Sequence, residues 1–114
     1  MVSKDLLKGT LKTIVLKLLE ENNRMYGYEI TKEVERLTDG KIVLTWGGLY
    51  PVLHKLESEG LITAEEESIG KRVRKYYSLT ESGSRTAKEK VQEFLDFVAI
   101  MSGIINPTPS MNLT

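Results

Sequence analysis

Apolar residues recur at helical spacing in two stretches of the first forty positions. In residues 4–20 they lie three and four positions apart on one predicted helix face, formed by Leu7, Leu11, Ile14 and Leu18 and widened by Val15 and Leu19. Ile30, Val34 and Leu37 form a second stripe, which predicts a helix from about Gly27 to the Asp39-Gly40 turn signal. The following "KIVLT" is short and β-branched, so it predicts a brief strand or an extended connector.

A third apolar stripe has an unusual beginning. It consists of Leu49, Val52, Leu53 and Leu56. Gly47 and Gly48 precede it and Pro51 lies inside it, although glycine costs about 1 kcal/mol and proline about 3 kcal/mol in a helix interior. We therefore predict that the helix begins at about Gly47, so that Pro51 falls in the first turn, where no intrahelical partner is lost. Gly60 has the position of a C-terminal glycine in the left-handed conformation.

The second half of the chain predicts a hairpin and one long helix. "LITAEEES" and "VRKYYSLT" resemble two strands, and the loop around residues 69–72 is too short for a crossover connection. Thr80 can cap a helix whose pattern continues to about Ile105, and the proline-containing residues 106–114 predict a disordered tail. The fold class is therefore mainly α with a small β-hairpin (α+β). The order helix, helix, short strand, helix, hairpin, long helix is that of a winged helix.

Charge is distributed unevenly along a chain whose formal net charge is zero. The stretch 68–80 contains four basic residues and no acidic residue: Lys71, Arg72, Arg74 and Lys75. Screening confines the influence of a patch to about 10 Å, so local concentration matters more for phosphate binding than the total charge. A solvated hairpin can also carry four positive charges without binding anything, and this alternative stays open.

The third helix offers a second candidate binding surface. Tyr50, His54 and Lys55 lie off the apolar stripe and should face outward, where they can meet phosphates or base edges. Gly47 and Gly48 remove side chains at the helix tip, where bare N–H groups and the positive dipole end favour an anion. The alternative is that the glycines serve a tight turn and that Tyr50 packs on the core. For Trp46, packing is favoured over recognition.

Several function classes find no support in the composition. There is no cysteine and only one histidine, and we find neither a catalytic constellation nor metal-ligand spacing. We predict no catalytic residue, no metal site and no cofactor. No apolar run is long enough to cross a bilayer, and the N-terminus has no signal-peptide core, so a cytoplasmic protein is expected.

The last predicted helix carries a heptad pattern. Its apolar seam consists of Ala87, Val91, Phe94, Val98, Met101 and Ile105. A surface of this size on a small domain needs a partner. We expect a homodimer, and the alternative is that the helix folds back onto the first helix of its own chain.

Three motifs make the sequence similar to the PadR family of transcriptional regulators. They are "YGYEI" at 26–30, "GGLYPVLHKLESEGLI" at 47–62 and "RKYYSLTESG" at 74–83, and the similarity covers about residues 6–105. The usual family pattern at the second motif is Gly-Thr-Leu-Tyr-Pro, so Gly48 is a small departure. The single helix after the hairpin resembles the short PadR subgroup.

The resemblance implies a dimeric winged-helix repressor that binds a palindromic operator in double-stranded DNA. Residues 1–80 would form the DNA-binding domain and 81–105 the dimerisation helix. Family DNA contacts carry over onto Tyr50, His54 and Lys55, and on the wing onto Lys71, Arg72, Arg74 and Lys75. Tyr77, Leu79 and Thr80 would pack and cap.

Two further possibilities accompany the resemblance. Some relatives bind flat aromatic drugs between subunits with the aid of a tryptophan in the last helix. Here that helix has no tryptophan, and its bulky residues are Phe94, Phe97 and Met101, which are favoured as core. An aromatic small-molecule effector or inducer stays open as an alternative. The alternative function is a winged-helix module that has lost DNA binding and binds protein, which overall neutrality and Glu65–Glu67 keep open.

Overall fold

Four helices and three strands follow one another in the computed structural model, which describes residues 2–106. In chain order they are α1 (Lys4–Glu21), β1 (Met25–Tyr26), α2 (Gly27–Leu37), α3 (Trp46–Ser58), β2 (Ile62–Ile69), β3 (Arg72–Leu79) and α4 (Glu81–Ile105). The predicted α+β winged-helix architecture is confirmed. Nearly all of the predicted tail, residues 107–114, lies outside the described residues.

The core lies where α1, α2 and α3 meet the inner face of the sheet. Ser3 caps α1 by accepting a hydrogen bond from the Leu6 N–H at 3.3 Å. The helices bury most of the apolar stripes predicted from the sequence, but Leu37 is 59% exposed because it is the last residue of α2. The fully buried side chains are Val15, Leu16, Ile30, Leu49, Leu53, Leu56, Ile62 and Tyr77. Tyr77 is the largest of them, so strand β3 anchors the wing to the helices.

The sheet has three strands rather than the two of the predicted hairpin. Its order is β1-β3-β2, and β1 pairs antiparallel with β3 through Met25 opposite Tyr77 and Tyr26 opposite Tyr76. The short strand therefore precedes α2, whereas residues 41–45 form a connector. Of the two alternatives for residues 41–45, the extended connector is therefore the correct one, and the short strand of the predicted element order lies elsewhere. Strand β1 was not predicted because it owes its conformation to β3, a partner about fifty residues away, and not to a local pattern.

Helix α3 begins at Trp46, one residue before the predicted start. Thr45 is its N-cap, and the Thr45 hydroxyl accepts a hydrogen bond from the Gly48 N–H at 3.2 Å. Pro51 consequently lies in the second turn and not in the first. The N–H that proline lacks would have bonded to the Gly47 carbonyl, and Gly47 is exposed, so water can replace that bond.

The wing is connected tightly to the helices at its base. Gly60 ends α3 with φ 75°, and the Leu61 N–H donates back to the Leu56 carbonyl at 3.0 Å. Thr80 donates its N–H to Leu61 at 3.0 Å and its hydroxyl to Gly60 at 2.7 Å. The Thr80 hydroxyl also accepts from the Gly83 N–H, which confirms it as the cap of α4. The two ends of the wing are thus joined to each other and to α4.

Helix α4 is buried over its first turns only. Gly83 and Ala87 are buried, and α4 packs along α1. Ala87 was predicted as the first position of the dimer seam. It lies in the core of its own chain instead, so it has no surface left for a partner. Beyond Val91 the helix exposes large apolar side chains, namely Phe94, Leu95, Phe97, Val98, Ile100, Ile104 and Ile105.

Candidate nucleic-acid interface

Helix α3 divides into a buried and an exposed face. Leu49, Leu53 and Leu56 are at most 1% exposed, which fixes the rotation of the helix on the core. Tyr50, His54 and Lys55 lie off this buried stripe and are all exposed, as the sequence predicts. The Tyr50 and His54 rings lie 6.0 Å apart, so the exposed face carries an aromatic surface beside a cation.

The two glycines at the start of α3 have free space around them. A Cβ atom at Gly47 would have no neighbouring atom within 4 Å, and one at Gly48 would meet only the Thr45 hydroxyl at 3.4 Å. Neither glycine has a positive φ. The packing of residues 2–106 therefore does not require glycine at either position.

Trp46 lies beside these glycines, and the sequence interpretation left it out of the site. Its indole ring packs over the backbone of Gly27 at the start of α2, and its centroid is 5.3 Å from that of Tyr50. The side chain nevertheless remains 52% exposed. The sequence favoured packing for Trp46 without naming a partner; the ring does pack, on Gly27, but much of the indole still faces solvent.

The tip of the wing carries two exposed cations. Gly70 is the first of the two turn residues between β2 and β3, and its φ of 62° suits glycine. Lys71 is the second turn residue and Arg72 begins β3, and both side chains are exposed. In the described part of the chain neither forms an ion pair, so both charges are available to a ligand.

Arg74 and Lys75, the other two predicted wing cations, are half-buried against the protein. The Arg74 guanidinium lies 4.0 Å from the centroid of the Tyr26 ring and donates to the Tyr76 hydroxyl at 3.3 Å, which raises the pKa of Arg74. The Lys75 ammonium lies 3.8 Å from a carboxylate oxygen of Glu57 on α3. Both residues therefore brace the wing against β1 and α3, while their charge still adds to the local positive potential.

Arg24 completes this brace, and sequence reasoning did not single it out. Its guanidinium lies 3.9 Å from the centroid of the Tyr76 ring and donates to a Glu67 carboxylate oxygen at 2.7 Å. The hydrogen bond to Glu67 raises the pKa of Arg24. The hydrogen bond between Arg24 and Glu67 joins residues 43 positions apart. No sequence signal marked Arg24, because it lies in a segment without apolar periodicity.

A groove of about 590 Å³ separates the wing from the starts of α2 and α3. Its lining is aromatic and basic: Tyr26, Tyr28, Trp46, Tyr50 and Tyr77 together with Arg72, Arg74 and Lys75, beside Gly27 and Val73. Burial raises the pKa of Tyr77. No acidic side chain lines the groove, so its chemistry suits phosphate and base edges. Within residues 2–106 no three His, Asp or Glu side chains group as metal ligands.

The exposed face of α3, the basic wing tip and the groove between them define a winged-helix domain of the DNA-binding class. The PadR family model, described as the transcriptional regulator PadR-like family, matches residues 15–89, and the chain belongs to this family. Its members are transcriptional regulators and not enzymes. None of the helices in residues 2–106 has the length and apolar character needed to cross a membrane.

Relatives and solved structures show the same similarity. The chain is 35% identical over 85 residues to the transcriptional regulator YqjI of Escherichia coli K12. The aligned residues make up 75% of this chain and 39% of that protein. A transcriptional regulator from Clostridium thermocellum superposes with a TM-score of 0.83 at 30% identity, covering 93% of this chain and all of the other. A PadR family regulator from Eggerthella lenta gives a TM-score of 0.76 at 32% identity, covering 91% and 88%.

Proposed function

We propose that this protein binds a palindromic DNA operator as a homodimer and represses transcription. Helix α3 enters the major groove with Tyr50, His54 and Lys55, and its start at Gly47 and Gly48 approaches the DNA closely. Lys71 and Arg72 at the wing tip contact the flanking phosphates. Arg74 and Lys75 hold the wing in place and add positive charge.

The observation that carries this proposal is the bare start of α3. Gly47 is an exposed helical residue beside which a Cβ atom would meet nothing, so the chain forgoes helix stability there without a reason in its own packing. Close approach of another molecule supplies the reason. Backbone N–H groups at a helix start favour phosphate, and recognition helices contact base edges with their N-terminal residues.

Homodimerisation is supported by the second half of α4. Leu95, Phe97 and Ile104 are more than half exposed there, which water disfavours on a helix that projects from a small domain. The seam positions Val91, Phe94, Val98, Met101 and Ile105 continue along the same segment. Pairing with the same segment of a second copy buries these side chains, and the resulting two-fold axis matches a palindromic operator.

Repression follows most simply from a dimer that occupies its operator and blocks access to the promoter. A cytoplasmic location accompanies this function, because a repressor must be in the compartment that contains its operator, which in bacteria is the cytoplasm. The prediction of an aromatic effector rests on the family resemblance alone.

Selection of bound duplexes from a random pool, at two salt concentrations, tests the proposal. We expect two inverted half-sites whose centres lie about 10 base pairs, or a multiple of that, apart. Affinity should fall steeply between the two salt concentrations because phosphate contacts release counterions. A reporter gene placed behind the selected operator should lose expression when the protein is present.

The protein-binding alternative makes the opposite prediction. Its support is the exposed acidic run on β2, where Glu65 and Glu66 face solvent beside the basic strand. Failure to enrich any duplex at low salt, together with a stable complex with another protein, would replace DNA binding by that function.

A further inference from the structure

We propose that Trp46 determines operator specificity by packing its indole ring against the C5-methyl group of a thymine in the major groove. The inference rests on the proposed entry of α3 into that groove. It adds a base-reading residue to the contacts considered so far, and it names the base.

Trp46 extends the exposed aromatic surface of α3 to the tip of the helix. Trp46, Tyr50 and His54 are spaced four residues apart, and their successive ring centroids lie 5.3 Å and 6.0 Å from each other. Residues four apart share one helix face, so the three rings form a single exposed row beside buried Leu49 and Leu53. If Tyr50 and His54 face DNA, Trp46 faces it too, at the end of the helix that lies deepest in the groove.

Gly27 fixes the position of the indole ring. A Cβ atom at Gly27 would collide with the Cζ3 atom of Trp46, so the ring occupies the space that a side chain would fill. One side of the indole is thereby held on the start of α2 and on Tyr50. The remaining 52% of the side chain is exposed, which leaves a rigid apolar surface facing outward. A rigid aromatic surface loses little entropy on binding.

The chemistry of the major groove selects the occupant. Among the groups that base pairs present there, the thymine C5-methyl is the apolar one, whereas the others donate or accept hydrogen bonds. An exposed indole face offers apolar contact and suits the methyl group. The indole N–H makes no hydrogen bond within residues 2–106, so a phosphate contact through this group is the outcome to be distinguished.

Deoxyuridine substitution in the selected operator separates these outcomes, because it removes only the methyl group. Each thymine of a half-site is replaced in turn, and binding of the full chain is measured. We expect one position at which wild-type affinity falls about fourfold, the value for one buried methyl-sized group. The same substitution should leave the affinity of Trp46→Ala unchanged, and Trp46→Phe should lose less than wild type. Circular dichroism melting confirms that both variants are folded.

Fluorescence provides a measurement on the unmodified protein, since Trp46 is the single tryptophan of the chain. Quenching by acrylamide should decrease severalfold when the selected operator is bound. Three results would overturn the proposal. The first is an equal loss of affinity on deoxyuridine substitution in wild type and in Trp46→Ala, and the second is unchanged acrylamide quenching on operator binding. The third is reduced quenching with no loss of affinity at any substituted thymine. If wild type selects a motif and Trp46→Ala selects the same motif, only the role of Trp46 fails. If wild type selects no duplex, DNA binding itself fails as well.

Discussion

The glycines of this chain differ in whether their surroundings leave space for a Cβ atom. Gly83 lies against the backbone carbonyl of Leu61, where a Cβ atom would collide. Gly47 and Gly9 are helical and have open space where a Cβ atom would be. Gly83 is therefore required by packing within the chain, whereas the proposed approach of DNA explains why glycine occupies position 47.

Gly47→Ala should stabilise the free protein and weaken DNA binding. Alanine is favoured over glycine by about 1 kcal/mol in a helix interior, and less near a helix end. The added methyl group would separate the α3 tip from the DNA, so we expect affinity to fall at least severalfold. Thermal melting and titration with the selected operator measure the two effects. Gly9→Ala is the matched control, since it should stabilise without any loss of affinity. An unchanged affinity in Gly47→Ala would contradict close approach at this residue.

Gly83→Ala should destabilise the protein. The methyl group would force α4 away from the base of the wing, and such overpacking costs about 1–3 kcal/mol, which exceeds the gain in helix propensity. Urea denaturation of Gly83→Ala and Gly9→Ala should give shifts of opposite sign. A stabilised Gly83→Ala would show that the contact between Gly83 and Leu61 is not close in solution.

The cations on and beside the wing are of two kinds: some pack on tyrosine rings, and others extend into solvent at the tip. Arg24 and Arg74 stack on Tyr76 and Tyr26, so they set the position of the strands against each other. Lys71 and Arg72 extend beyond these contacts at the tip. The four basic residues of 71–75 therefore divide into two pairs with different roles, which the tertiary contacts of Arg74 and Lys75 decide.

Charge reversal at the wing tip tests this division. Lys71→Glu with Arg72→Glu should reduce affinity for every duplex, and each lost phosphate contact should flatten the slope of log K against log salt by about 0.9. The melting temperature should stay close to that of wild type. Arg85→Glu with Lys88→Glu makes the same charge change on exposed positions of α4 and should leave DNA binding nearly unchanged. Wild-type affinity in the tip variant would remove the wing from the interface.

At the scale of the whole molecule, the end of α4 leaves large apolar side chains uncovered. The helix is anchored by Gly83 and Ala87 and then leaves the core, so its last three turns carry apolar side chains into solvent. A single copy has no described element that covers them. In the proposed homodimer, a second copy would supply a matching surface and place two α3 helices on one duplex.

Val98→Glu with Ile105→Glu should convert the proposed dimer into a monomer, because both substitutions would bring charges into the proposed interface. Sedimentation equilibrium measures the mass, and operator affinity should fall by about a hundredfold as the two half-sites become independent. Lys88→Glu on the same helix is the control and should remain dimeric. A wild-type protein that sediments as a monomer, or a double variant that remains dimeric, would contradict this assembly.

The sequence by itself determined the elements whose signals act over a few residues. The stripes of α1 and α2, the Gly60 end of α3, the turn at Gly70 and the bounds of α4 after Thr80 all follow from periodicity and capping. It also determined which face of α3 is exposed, because burial of Leu49, Leu53 and Leu56 leaves Tyr50 and His54 no other side.

Only the tertiary structure decided the features that join distant positions. Strand β1 exists because β3 pairs with it, and the brace formed by Arg24 and Arg74 needs tyrosines from two strands. Burial of Ala87 in its own core likewise depends on how α4 packs along α1. These features share one physical reason. Strand pairing and ring stacking gain their free energy from partners that folding brings together, so the residues next to them in sequence do not indicate them.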